Sequence, residues 1–142
     1  MNSYTVRIAS WRDDGLALRM VRETVFIREQ RVPAELEWDE FDMNCLHLLA
    51  MDSADNPIGV ARLLSDGLIG RMAVLKEWRG RGVGSALLLR LLEEAKKRRI
   101  QQVALNAQLH AIGFYLKSGF RMTGEEFMDA GIPHVRMSLR LS

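Results

Sequence analysis

Six consecutive residues, Arg79-Gly80-Arg81-Gly82-Val83-Gly84, stand between a strand-like run ending near Leu75 and a helix-like run starting near Ser85. Glycine lets the backbone turn tightly and come close to a ligand. The first turn of a helix presents N–H groups that lack an intrahelical partner and carry partial positive charge. Such a loop suits a pyrophosphate. Two familiar phosphate loops fit it poorly. The P-loop needs Lys followed by Ser or Thr directly after its last glycine, where this chain has Ser85-Ala86. The dinucleotide fingerprint needs G-x-G-x-x-G and an acidic residue about twenty positions on. Here the glycines stand at 80, 82 and 84, and Gln101-Gln102 follow at the acidic residue's place.

What remains, Arg79-x-x-Gly82-x-Gly84, resembles the acetyl-CoA pyrophosphate loop of the GNAT superfamily of N-acetyltransferases at every fixed position. The downstream segment is similar as well. Leu105-Asn106-Ala107-Gln108, then Ala111, then Phe114-Tyr115-Leu116-Lys117-Ser118-Gly119-Phe120 match the family's second half: a strand, a short helix carrying a tyrosine, and a Gly-Phe step into the next strand. Narrower still, Val25-Phe26-Ile27-Arg28-Glu29-Gln30-Arg31-Val32-Pro33, the acidic residues through Asp42 and His47 resemble the ElaA-like branch. So do Gly124-Glu125-Glu126-Phe127 and Gly131-Ile132-Pro133-His134. The resemblance covers nearly the whole chain.

It implies acyl transfer from the thioester of acetyl-CoA, the cosubstrate, directly to a primary amine. That chemistry needs a neutral nitrogen, a polarised carbonyl and a proton for the departing thiolate. In the family the extended backbone corresponding to Met72-Ala73-Val74 pairs with the pantetheine arm as a strand would, and an N–H near Val74 polarises the carbonyl. Arg79, Gly80, Arg81, Gly82, Val83, Gly84 and Ser85 are the expected pyrophosphate contacts, the arginines by charge and Ser85 by hydroxyl or backbone N–H. Asn106 could hydrogen-bond the arm or simply end its strand. Tyr115 matches the family's general acid. A phenol with a reference pKa near 10 is protonated at neutral pH and can serve a thiolate whose conjugate acid titrates near 8.5. It could equally be a core aromatic beside Phe114 and Phe120. The base that accepts the amine proton is not singled out by spacing. His47, His134 and Glu29 are the named candidates, with Glu35, Glu37, Asp39 and Asp42 nearby by composition and a water chain as the alternative.

Composition narrows the partners. The 142 residues are about one domain's worth, 1–142, and 48% hydrophobic content supports a single core without disulfides or metals. Cys45 is the only cysteine, so no internal disulfide and no paired-thiolate metal site is expected, and it reads as a small buried hydrophobe. With 20 basic against 18 acidic side chains, net charge +2 does not argue for nucleic acid or a membrane. The charge is segregated: 79–99 is rich in Arg and Lys, suiting an anionic cosubstrate, and 29–42 in Glu and Asp, leaning toward a cationic amine such as a polyamine, lysine side chain or aminosugar. No run approaches the roughly 18 apolar residues of a membrane span, and Met1-Asn2-Ser3-Tyr4 lacks a leader's charged and apolar regions. A cytoplasmic location is expected. The oligomeric state stays open, a homodimer included. Two other functions are compatible: an acyl-CoA sensor without an acceptor site, and a nucleic-acid module using 79–99, against which the lack of interleaved aromatics counts.

The elements that must position these residues follow from periodicity. Residues 4–9 alternate and read as a strand. Leu16, Met20, Val21, Thr24-Val25 and Ile27 recur at helical spacing, capped by Asp13 or Asp14 and ended by Pro33, with 34–44 irregular or briefly helical. Strands over 46–51, 58–64 and 68–75 form an antiparallel meander, the last two joined by the tight turn Asp66-Gly67. A helix over 85–99 carries Leu87, Leu88, Leu91, Leu92 and Ala95 on one face and closes on Lys96-Lys97-Arg98-Arg99. A strand over 103–106, a helix over 109–117 and strands over 120–123 and 135–141 complete the chain. The order predicts an α+β fold, one mixed and mostly antiparallel sheet with helices on both faces. By resemblance, that sheet is splayed between strands four and five.

Overall fold

The computed structural model describes residues 3–142; the Met1-Asn2 start, part of the stretch read above as lacking a leader, lies outside them. Seven strands form one sheet in the order β1-β2-β3-β4-β5-β7-β6. β1 (Tyr4–Ala9), β2 (Leu46–Asp52), β3 (Pro57–Leu63) and β4 (Leu68–Val74) are antiparallel neighbours. β5 (Gln102–Gln108) runs parallel to β4 but pairs with it only at Leu68–Ala104 and Ile69–Leu105. Beyond Ile69 the strands part, and this is the expected splay. β7 (Ile132–Arg140) lies antiparallel to β5 along the whole of β5 and carries β6 (Arg121–Asp129) at the outer edge.

Both faces of the inner sheet are buried, which is why β2 and β3 read as near-continuous apolar runs rather than alternating ones. Leu48, Ala50 and Ala61 face one core with Leu87, Leu88 and Leu91 of α3 (Val83–Lys97). Leu49, Val60 and Ala73 face the other core with Leu18 and Val21 of α1 (Trp11–Arg22). α1 is capped by Ser10, whose hydroxyl accepts from Asp13 N–H at 3.0 Å, and not by Asp13 or Asp14. Asp14 instead accepts from Ser10 N–H at 2.9 Å and from Arg7. Through the β-branched run Thr24-Val25 the helix widens into π turns over Glu23–Glu29, with Gln30 N–H donating to Val25 O at 3.0 Å, and it ends before Pro33. The short helix α2 (Ala34–Glu37) and a 3₁₀ turn (Glu40–Met43) follow.

At the β3–β4 turn Gly67 has φ +94°, and a Cβ there would lie 2.5 Å from Gln102 O, so glycine lets β4 start hard against β5. A 3₁₀ turn (Leu109–Ala111) precedes α4 (Ile112–Lys117), which packs on the same face as α3. The last two strands are longer than the sequence suggests. Residues 124–127 and 132–134, expected outside strands, belong to a hairpin that turns at Ala130 and Gly131, both at positive φ. All of β6 is exposed, so it shows no buried face for periodicity to detect. Among the described residues no helix is long and apolar enough to cross a membrane.

Candidate active site

The glycine loop ends at Gly82, which at φ +86° is the N-cap of α3 and contributes no side chain to the cap. The first intrahelical bond is Ala86 N–H to Gly82 O at 3.0 Å. The amides of Val83, Gly84 and Ser85 therefore precede any i−4 partner, and the helix dipole adds to their positive potential. A Cβ at Gly80 would meet nothing within 4 Å, and one at Gly84 would touch Phe114 and Val74 at 3.6 and 3.9 Å, so the helix start sits between the β4 and α4 sides of the splay. Arg81 lies 5.0 Å over the Trp78 ring, which meets Tyr4 edge-on; neither aromatic was among the expected site residues.

Arg79 is engaged by protein partners. Its guanidinium forms two 2.7 Å bonds with Glu29, and its Nε donates to Val74 O at 2.9 Å. Glu29 is thereby held below the usual carboxylate range by Arg79, against the upward pull of its own partial burial. It ties the end of the first helix to the loop and does not line the cleft.

Leu75 N–H bonds Ile58 O on β3 at 2.9 Å, so by strand alternation the amide of Val74 points to the splayed edge. The same alternation frees the Val74 carbonyl for Arg79. Ala73 pairs with Val60 and is buried in the α1 core, while Met72 lines the cleft. Between them and Gly70 lies a feature the sequence reading missed. Val60 pairs with Ala73 but Arg62 pairs with Gly70, so two residues of β4, Arg71 and Met72, oppose Ala61 alone. Arg71 takes φ +50° in this bulge. An arginine in an otherwise apolar strand was the available signal.

The parting strands leave a cleft of about 280 Å³. Met72, Asn106, Gln108 and Tyr115 line it, together with Phe26 and Gln30 from the first helix and Ile132 and His134 from the last hairpin. Gln30 and Gln108 bridge its mouth at 2.8 Å. Tyr115 packs edge-on to Phe114 and Phe120, and its hydroxyl lies 3.6 Å from Met72 Sδ. Burial pushes the phenol up to about 12. Asn106 Oδ1 accepts from Arg136 at 3.3 Å, leaving its amide N–H₂ side for another partner.

The two candidate histidines separate. His134 stacks on Phe127 and its Nδ1 lies 2.7 Å from Ile132 O. A carbonyl only accepts, so Nδ1 carries the hydrogen and the neutral ring keeps its lone pair on Nε2. His47 is 2% exposed and stacks on Trp11. Its Nε2 lies 2.8 Å from Asp42 O and 3.4 Å from Cys45 Sγ, outside the cleft. Burial lowers its pKa, partly opposed by that carbonyl. Burial also pushes the Cys45 thiol up to about 11.

The acidic segment is not a free acidic surface. Arg22 bonds Glu37 and Asp42 at 2.7 Å each, Arg62 bonds Asp39 at 2.7 Å and Asp42 at 3.0 Å, and Arg71 approaches Glu37 at 3.2 Å and Asp39 at 3.4 Å. Three arginines from α1, β3 and β4 consume three carboxylates. Glu35 is exposed and stands outside this network.

The profile of the acetyltransferase (GNAT) domain family matches residues 12–141. The chain is 42% identical over 121 residues to the uncharacterized N-acetyltransferase YjcF of Bacillus subtilis, covering 82% of this chain and 86% of that protein. It is similar to protein ElaA of Escherichia coli, at 32% identity over 130 residues, 86% of this chain and 84% of ElaA. It also resembles in structure an acyl-CoA N-acyltransferase from Pseudomonas aeruginosa, with TM-score 0.85 and 30% identity over 96% of this chain and 99% of that one. A glycine-capped helix start facing a gap between parallel strands, carried on a sheet that matches these relatives end to end, means that this chain belongs to the GNAT acetyltransferase family, with ElaA among its homologues.

Proposed function

We propose that the protein is an acetyl-CoA-dependent N-acetyltransferase that moves the acetyl group directly to a primary amine, with Tyr115 as general acid. The observation that carries this reading is Tyr115 itself, a half-buried phenol in the cleft between β4 and β5 whose pKa is raised to about 12 and which is therefore protonated, with the unpaired amides of the α3 start on the same side of the sheet.

The residues present fit the cosubstrate. The open space at Gly80 and the left-handed turn at Gly82 allow close approach of a diphosphate to the amides of Val83, Gly84 and Ser85. Arg81 adds charge at the rim. The splayed edge of Met72-Ala73-Val74 and the amide of Asn106 offer hydrogen bonds to the arm's peptide-like groups. The bound thioester supplies the acyl group. Val74 N–H polarises its carbonyl, His134 Nε2 accepts the proton of the attacking amine, and Tyr115 Oη protonates the leaving thiolate.

The test is acetyl-CoA with a broad amine panel while free thiol is monitored. Amine-dependent thiol release, with the acetylated amine found by mass spectrometry, is expected. Tight cosubstrate binding without acetyl transfer to any amine would replace the enzyme by an acyl-CoA sensor.

A further inference from the structure

At the α1–α2 side of the cleft the positive charges are unequally compensated. Arg22, 1% exposed, has two carboxylates at 2.7 Å. Arg62 has one at 2.7 Å and one at 3.0 Å. Arg71 is left with the second claim on each of its acids: Glu37 at 3.2 Å, already closer to Arg22, and Asp39 at 3.4 Å, already closer to Arg62. Its Nε and Nη2 are spent on the carbonyls of Leu36 and Glu37, and among the described residues nothing accepts from its Nη1. Burial and the nearby guanidinium groups of Arg62 and Arg22 lower its pKa despite Glu37, the sign of a cation short of anions. Behind it, Arg62 Nε is a buried donor with no partner.

Backbone geometry points the same way. Arg71 is the bulged residue of β4 and sits at φ +50°, a conformation that disfavours a Cβ. It also stands next to Met72, whose sulfur meets the Tyr115 hydroxyl. Arg71 and Arg62 both line the cleft. An anion bound there would lie close to the site of acyl transfer.

We propose that Arg71, backed by Arg62, docks a carboxylate on the acceptor, so that the preferred substrate is a small primary amine carrying a carboxylate, of amino-acid type, and not a polyamine. The inference rests on the transferase reading above and gives its acceptor a chemical class. The N–H groups of Arg71 Nη1, which no protein group accepts from among the described residues, suit a carboxylate oxygen, and a 280 Å³ cleft suits a molecule of amino-acid size. Of the acidic segment, Glu29, Glu37, Asp39 and Asp42 are matched to arginines, and the two carboxylates left over, Glu35 and Glu40, are exposed and do not line the cleft, so the cleft itself offers a polycation little.

Matched pairs test it: phenylalanine against phenethylamine, lysine against cadaverine, and a short peptide whose amine is free but whose carboxylate is distant. Thiol release gives kcat/KM, and calorimetry on the protein saturated with coenzyme A gives binding without turnover. The carboxylate member should lead by roughly 10- to 100-fold, the value of a charge-assisted contact. Arg71→Gln should bring that ratio toward one through KM, and Arg71→Lys should restore part of it. The ratios are internal to each variant, so a loss of folded protein does not imitate the result, and the wild-type pairs decide the matter if a variant fails to fold. Equal or better use of the decarboxylated amines by wild type overturns the proposal, as does a ratio that Arg71→Gln leaves unchanged. Preference for the peptide would move the source of the carboxylate from a free amino acid to a chain and overturn the small-molecule assignment. Carboxylate-selective binding without acetyl transfer would uphold the docking site and sink the transferase reading.

Discussion

Tyr115 is enclosed by Phe114, Phe120 and Met72, and the water it has lost pushes its phenol up to about 12. At any working pH it is a donor. Burial acts likewise on sulfur and raises the Cys45 thiol to about 11. Tyr115→Phe keeps the ring packing and removes only the hydroxyl, and with it the contact to Met72 Sδ. It is expected to lower single-turnover acetyl transfer roughly 100-fold, the scale of general acid catalysis, while the calorimetric Kd for acetyl-CoA stays within a factor of two or so. Unchanged single-turnover rates would remove the tyrosine from the chemistry.

At the scale of elements, the start of α3 and the clasp around Arg22 make different demands. Gly82→Asp must accommodate a side chain at φ +86°, with its Cβ 3.4 Å from Tyr4 Oη, and it sets a negative charge where the amides await a diphosphate. Cosubstrate binding measured by calorimetry should fall below detection while the circular dichroism spectrum keeps its shape; a Kd within about tenfold of wild type would show that the loop does not hold the diphosphate. Arg22 lies against both Trp11 and Trp38, 5.2 and 5.0 Å from their rings, and holds two buried carboxylates. Arg22→Met takes the 2.7 Å partner from both acids, leaving Asp42 to Arg62 and Glu37 to the longer contact with Arg71, and is expected to cost about 3–5 kcal/mol in urea unfolding, whereas Arg7→Met, which breaks the more exposed pair with Asp14, should cost less than about 1 kcal/mol. Similar losses in the two variants would refute the role given to burial. The loop, α3 and the meander were legible because glycine spacing and apolar periodicity are local signals, whereas the splay was implied only by the family resemblance. The bulge at Arg71, the clasp at Arg22 and the long last hairpin were not legible. Each depends on partners far along the chain: Arg71 on a register with β3, Arg22 on acids fifteen and twenty residues away, β6 on pairing alone. Read without those partners, the segment from Glu29 to Asp42 looked like a surface for cations, and in the fold four of its six carboxylates, Glu29, Glu37, Asp39 and Asp42, are committed to arginine.

For the whole molecule, the acid side of the stability curve should have two steps with separate causes. Burial depresses the pKa of His47 below its ordinary value, so between that depressed value and about 6.5 the unfolded chain binds a proton that the folded chain refuses. Stability rises with pH wherever the unfolded state holds more protons. The contribution of neutral His47 is therefore fully present above about 6.5 and is lost as pH falls below it, with a slope of at most ~1.4 kcal/mol per pH unit for one group. Asp14, Glu29 and Asp42 are all lowered, the first two chiefly by their arginine partners; for Asp42 burial is the largest single influence and acts upward, but Arg22, the Asp39 amide and Arg62 together outweigh it. Their contribution survives down to about pH 4 and is lost below it. Glu37 has the opposite sign, because burial outweighs Arg71 and Arg22 and raises it. It favours the folded state on the acid side of its raised pKa and so blunts the upper step without removing it. Urea midpoints taken every half unit from pH 8 to 3 should show wild type losing stability first as pH falls below about 6.5 and again below about 4. In His47→Gln, which keeps a donor for Asp42 O, the first step should flatten while the second stays. If that variant falls as steeply as wild type through the upper step, that step belongs to another group, and the histidine stacked on Trp11 is not what ties this fold to near-neutral pH.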